Sequence, residues 1–241
     1  MANTFFQFKQ FRIEQAVGGM KVSTDACIQG AWVYRAISKL SNLKVLDIGA
    51  GTGLLSLMLA QSDAVASVTA IEIEPSAAAQ CKSNFEQSPW KEKFTLFAGD
   101  VQYFLETAHE KFDVIIANPP FFENHLKATD TDRNTAFHDD SMPKSLLAKA
   151  IAQCLTESGA AYILYPSTEW SLWEKQLEHH SLYVKQAVQV YPSPKKTHNR
   201  IIGEVVKVST ETTIQPFSIR ANGNDYSEEF IALLAPFYLN L

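Results

Sequence analysis

The run Val45-Leu46-Asp47-Ile48-Gly49-Ala50-Gly51-Thr52-Gly53 constrains the fold more than any other part of this chain. An apolar strand enters a glycine-rich turn, and the turn opens directly into an apolar helix over Leu54–Gln61. Glycines let a backbone pass close beneath a ligand, and the helix start offers free N–H groups to it. The alternation then repeats. Strands are predicted over Lys44–Asp47, Ser67–Ile73, Phe94–Ala98, Phe112–Ala117 and Ala160–Tyr165. Between and after them come helices over Ser76–Gln87 (with Pro75 in its first turn), Val101–Glu110, Pro143–Glu157 (stopped by Ser158-Gly159) and Thr168–His179. This rhythm implies a mostly parallel sheet with helices on both faces.

The pattern changes near the end. Tyr183–Tyr191 and Arg200–Val208 are β-rich and joined by only eight residues, too few for a crossover helix, so they should pair antiparallel. A final helix is expected over Tyr226–Tyr238. Residues 1–241 read as one domain: an N-terminal segment 1–43 packed on the rest, a core 44–208 and a C-terminal extension 209–241. Residues 123–142 lack a clear period and read as a long surface loop of the kind that often serves as a lid.

No apolar run approaches the ~20 residues of a membrane span, and the start of the chain lacks the features of a secretory signal. Cys27, Cys81 and Cys154 are widely spaced, which points to free thiols in a reducing cytoplasm and against a disulfide framework or a Cys-type zinc site. The net charge of −5 hides an uneven distribution. Residues 1–46 hold six Lys/Arg against two acids, residues 47–194 ten against nineteen, and residues 195–220 five against two. Basic character is confined to two flanks, which would form a phosphate-binding surface if they share a face and ordinary solvated charge if they do not.

Asn118-Pro119-Pro120-Phe121 carries the chemistry. A strand that stops at two prolines loses its ladder donors there. The turn presents an amide, a carbonyl and an aromatic ring together, a set suited to holding a planar amino group by its two hydrogens and stacking on its ring. The glycine turn supplies the complementary half. Its glycines are spaced Gly49-x-Gly51-x-Gly53, which differs from the nicotinamide fingerprint, and Asp47 would repel a pyrophosphate. A carboxylate there could instead pair with an amino-acid ammonium, which favours S-adenosylmethionine. Glu72 ends the second strand and is placed to accept from two ribose hydroxyls, with Glu74 its competitor. Asp100 follows the third strand and is placed to accept from an adenine amino group. Together these acids mark the carboxyl edge of the sheet.

From Lys44 to about Val208 the chain resembles the class I S-adenosylmethionine-dependent methyltransferases, with a Rossmann-like, mostly parallel seven-stranded sheet and an antiparallel C-terminal hairpin. Further segments are similar to the tRNA1(Val) adenosine N6-methyltransferase family. They are Lys21-Val22-Ser23-Thr24-Asp25 with Gly30-Ala31-Trp32, Ala50 through Gln61, Gln87-Ser88-Pro89-Trp90, and the tail Tyr226-Ser227-Glu228 with Phe237-Tyr238-Leu239. The resemblance implies methylation of the adenosine just 3′ of the anticodon in a valine tRNA, by a monomer with no metal. It implies Asn118, Pro119, Pro120 and Phe121 as the catalytic turn, and Asp47, Gly49, Gly51, Gly53, Glu72, Asp100 and Asn118 about the cofactor. Phe121 stands where the family commonly has Tyr. Lys21 and Thr24 would border the cofactor's methionine end by analogy, whereas as bare sequence they read as a helix N-terminus with its cap. Lys9, Arg12, Lys195, Lys196 and Arg200 are the candidate RNA contacts, the last three at a hairpin tip that could equally be a soluble turn. Protein glutamine N5-methylation, a non-catalytic S-adenosylmethionine-binding protein and a nicotinamide oxidoreductase are the competing readings. The short N-terminal segment, the intact Asn118 turn and the glycine spacing weigh against them in that order.

Overall fold

A computed structural model describes residues 4–16, 21–120, 142–221 and 223–241. The chain opens on a small antiparallel pair, β1 (Phe5–Gln7) and β2 (Arg12–Glu14), followed by α1 (Thr24–Ile37). It then alternates β3 (Leu43–Ile48), α2 (Leu54–Ala60), β4 (Val65–Glu72), α3 (Pro75–Glu86), β5 (Phe94–Ala98), α4 (Val101–Thr107) and β6 (Phe112–Ala117). From residue 142 on come α5 (Lys144–Cys154), β7 (Leu155–Pro166), α6 (Ser167–His179), β8 (Tyr183–Tyr191), β9 (Arg200–Val206), β10 (Thr213–Ser218) and α7 (Glu228–Leu234).

The main sheet has the order β10-β8-β9-β7-β6-β3-β4-β5. Only β9, wedged between β7 and β8, runs against the other described strands of this sheet, so the expected C-terminal hairpin is present. Among the described residues the sheet has eight strands, where seven were expected. The additional one, β10, comes from the segment read as an extension and pairs parallel to β8.

Both faces of the central strands are covered, and alternate residues feed two separate cores. Val45, Val68, Val114, Ile116 and Leu164 pack with α1, α2, α3 and α7, whereas Leu46, Ile48, Ile71, Ile115 and Ile163 pack with α4, α5 and α6. Burial on both faces is why these strands read as continuous apolar runs. Residues of the N-terminal segment belong to the first core: Phe8 and Ile13 are fully buried, a gain of about 1.5–3 kcal/mol each.

One boundary departs from the sequence reading. The helix predicted to Glu157 ends at Cys154, and Ser158-Gly159 lies inside β7 instead of stopping a helix. The register between β6 and β7 shifts here, from Phe112 opposite Leu155 to Val114 opposite Ala160. A side chain at 159 would come within 2.8 Å of the Asp113 carbonyl oxygen, so glycine serves close strand approach there.

Candidate active site

The strand register brings the candidate residues to one level. Ile48 and Ala117, the last residues of β3 and β6, are paired neighbours, so the glycine turn and Asn118 leave the sheet side by side. Ile48 is also level with Ile71, and Glu72 with Ala98, which sets Glu72 and Gly99-Asp100 along the same edge. This is the carboxyl edge at which open α/β sheets bind ligands.

The turn after β3 is held from beneath and open above. Gly49 and Ala50 both donate to the Ile71 carbonyl at 2.9 Å, and Gly51 donates to Glu72 Oε2 at 2.7 Å. Gly49, Gly51 and Gly53 have φ of +75°, +57° and +88°, values that side-chain-bearing residues rarely adopt. A methyl group added at Gly49 or Gly51 would meet nothing within 4 Å, so both border open space. Gly53 differs: its added carbon would lie 2.7 Å from the Phe85 ring and 3.0 Å from Cys81 Sγ. Its role is close packing of α2 against α3.

Glu72 is the turn's brace. Besides Gly51 it accepts from the Glu74 N–H at 2.8 Å through Oε1, and each oxygen keeps a further acceptor position for a ligand hydroxyl. Glu74 is occupied otherwise, capping α3 by accepting from the Ser76 hydroxyl and from the Ser76 and Ala77 N–H groups, and these bonds, the hydroxyl's first, hold its carboxyl below the usual range. Asp47 is fully buried. Its Oδ2 accepts from Ser56 N–H at 3.0 Å and Ser56 Oγ at 2.7 Å, and its Oδ1 is buried with no donor among the described residues. Burial, opposed by the Ser56 bonds and assisted by the Glu72 charge, pushes its pKa up to about 7. Open space over two glycines, a carboxylate oxygen with no donor among the described residues and a ribose-type acceptor together fit S-adenosylmethionine, which Gly49 and Gly51 would underlie, Glu72 would hold by its hydroxyls and Asp47 Oδ1 would meet at its ammonium.

At the neighbouring strand end Asn118 is half-buried, and its side-chain Oδ1 is buried with no donor among the described residues. An amide acceptor left unmet costs roughly 1–3 kcal/mol, which a ligand N–H would recover. Pro119 is buried beneath the turn and Pro120 is exposed. Phe121, and the loop read as a lid apart from Met142, lie outside the described residues.

The other predicted positions divide. Lys21 and Thr24 are exposed at the start of α1, where the Ser23 hydroxyl accepts from Ala26 N–H as the cap. Asp100 caps α4 by accepting from Gln102 N–H at 2.7 Å and remains exposed. Arg200 pairs with Asp25 at 3.0 Å, tying the start of β9 to the start of α1. Lys195 and Lys196 are exposed on the turn before it. Pro166, opposite Arg200, lies three residues beyond the level of Ala117, so this turn stands on the same edge as Asn118. Lys9 donates to the Ala235 carbonyl, and Arg12 pairs with Glu14 and lies over the Phe5 ring.

Two residues escaped the sequence reading. Ile73, 64% exposed beside Glu72, offers an apolar surface at the ligand edge; its signal was an apolar residue between two acids just past a strand. Gln29 is fully buried in α1 and donates to the Ala117 and Tyr162 carbonyls. Nothing local in the sequence marks it.

Residues 31–165 match the model of the methyltransferase small domain. The chain is 38% identical to a protein of Shewanella sp. (strain MR-4) named tRNA1(Val) (adenine(37)-N6)-methyltransferase, over 98% of this chain and 99% of that one. A protein of the same name from Cytophaga hutchinsonii is 35% identical over the whole of both chains. Among solved structures, a predicted O-methyltransferase from Agrobacterium tumefaciens superposes with a TM-score of 0.70, covering 88% of this chain and 96% of that one at 14% identity. A putative RNA methyltransferase from Pyrococcus horikoshii gives 0.56, with 84% and 87% covered at 20% identity. At these identities the structural likeness speaks for the fold.

Proposed function

As the chain belongs to the tRNA1(Val) (adenine(37)-N6)-methyltransferase family, we propose that it methylates the exocyclic N6 of the adenosine 3′ of the anticodon in a valine tRNA. Bound S-adenosylmethionine supplies an electrophilic methyl group. The observation that carries the reading is the buried, undonated Oδ1 of Asn118 at the end of β6, beside the glycine turn that ends β3. Asn118 Oδ1 and the Pro119 carbonyl accept the two N6 hydrogens, which localises the nitrogen lone pair and aims it at the methyl. The N–CH3 bond would form as the donor's S–CH3 bond breaks, and S-adenosylhomocysteine would leave. One N6 hydrogen would be lost to water as a proton from the methylated nitrogen, an acid strong enough that orientation supplies most of the rate and no strong general base is needed. Phe121 stacks on the adenine, a contact of ~1–3 kcal/mol. An anticodon-loop base is already unpaired and swings out more cheaply than one in a duplex. Of the exposed residues on this edge, Ile73 would cover a face of the cofactor's adenine, Asp100 would accept from its amino group, and Lys21 and Thr24 would border the methionine end.

Lys195 and Lys196 supply phosphate contacts on the edge that carries Asn118, with Arg200 behind them. Lys9 and Arg12 lie apart from these lysines: the Lys9 N–H donates to the carbonyl of Phe237, whose ring packs on Tyr34 near the end of α1, and their charges are already shared with the Ala235 carbonyl and Glu14, so they form no part of this contact. The reading includes a cytoplasmic monomer; on its β10 edge, strand addition by a second copy is disfavoured by Pro216, which has no N–H to donate. Asn118→Ala tests the central role. Cofactor binding should persist while methyl transfer to tRNA is lost; near-normal turnover would sink the mechanism.

A further inference from the structure

Gln29 has no part in the chemistry just described, yet it is the side chain that holds the catalytic turn from behind. It is fully buried on α1. Its Nε2 donates at 2.9 Å to the carbonyl of Ala117 and at 3.0 Å to that of Tyr162. Ala117 is the last residue of β6, and its carbonyl belongs to the peptide that leads into Asn118. Tyr162 precedes Ile163, the residue of β7 that pairs with Ala117. One amide group therefore bridges the two strands at the level where β6 ends and the site begins.

The same side chain leaves its Oε1 buried without a partner among the described residues. An apolar side chain of equal size would spare the unmet Oε1 but would take the donor from the Ala117 and Tyr162 carbonyls. What the carboxamide adds is two aimed donors. We propose that Gln29 is a positioning residue: it fixes the plane of the Ala117–Asn118 peptide and thereby the aim of Asn118 Oδ1. The proposal rests on the reading of Asn118 as acceptor for the target amino group. Gln29 has no hydrogen bond to the glycine turn or to Glu72, so its effect belongs to the methyl-transfer step and not to cofactor binding.

Gln29→Leu and Gln29→Met remove the donors at similar volume, and Met keeps the unbranched shape should Leu fold poorly. Four quantities are compared with the parent: kcat at saturating S-adenosylmethionine and tRNA, KM for each, cofactor Kd by calorimetry, and the carbonyl 13C resonance of Ala117. The expected result is a ~10- to 100-fold loss of kcat, the scale of small misplacements in an oriented reaction, with KM and Kd for the cofactor nearly unchanged and the Ala117 resonance shifted. A lower Tm with kcat intact would make Gln29 purely structural and overturn the proposal, as would a parallel loss of kcat and cofactor affinity. If the parent enzyme methylates no tRNA, the functional reading fails by itself. The Ala117 resonance then still decides whether Gln29 holds that carbonyl, and an unshifted resonance overturns the proposal.

Discussion

Asp47 should make this protein less stable as pH rises toward neutrality. Its carboxyl is fully buried, two bonds from Ser56 reach only one oxygen, and burial lifts its pKa from 3.8 to about 7. Between those values the folded chain holds a proton that the unfolded chain has released. Stability is therefore greatest below the unfolded pKa, falls as pH rises through this window and levels off above the folded pKa. At about 1.4 kcal/mol per unit, the full shift is worth on the order of 4 kcal/mol, of which about 3 kcal/mol falls between pH 5 and pH 8. Asp47→Asn keeps an acceptor for Ser56 and removes the charge. Urea unfolding of cofactor-free protein at both pH values should show the parent losing about 3 kcal/mol more than the variant. The ligand ammonium favours the ionised carboxyl, so cofactor affinity should also rise toward pH 8 in the parent and lose that dependence in the variant. Equal pH slopes for parent and variant would refute the argument.

The glycine turn and the basic edge give two further tests. Gly51→Ala should cost about 1–2 kcal/mol of stability from its positive φ and lower cofactor affinity further, because its methyl enters the open space. Gly53→Ala, which collides with Phe85 and Cys81, should show chiefly as a lower Tm; calorimetry beside thermal melts separates the two. Replacing both Lys195 and Lys196 by Ala should weaken tRNA binding and reduce the salt slope by about 1.4–1.8, leaving cofactor Kd unchanged in the same buffers.

The parts of the fold that hold the ligand edge were legible because each announces itself locally. A buried parallel strand is a short apolar run, a turn with positive φ needs glycine, and acids at successive strand ends fall together once the sheet is parallel. What was not legible depends on distant partners. The strand β10 has only Phe217 buried and contains Pro216, so its pattern is no stronger than a loop's. Gly159 carries the same letter as a helix stop, yet its cause is the Asp113 carbonyl across the sheet. Asp47 was read through its ligand alone, whereas Ser56, nine residues on, occupies one of its oxygens. Gln29 has meaning only beside Ala117 and Tyr162, both far along the chain.

The central claim is that the Asn118 turn presents an RNA adenine, and not a protein amide, to the methyl donor. Incubating the protein with radiolabelled S-adenosylmethionine and, in parallel, total tRNA, total protein and DNA tests it most directly, with nucleoside analysis of the labelled product. Label in tRNA recovered as N6-methyladenosine is the predicted result; label recovered on protein glutamine, with none in tRNA, would contradict it.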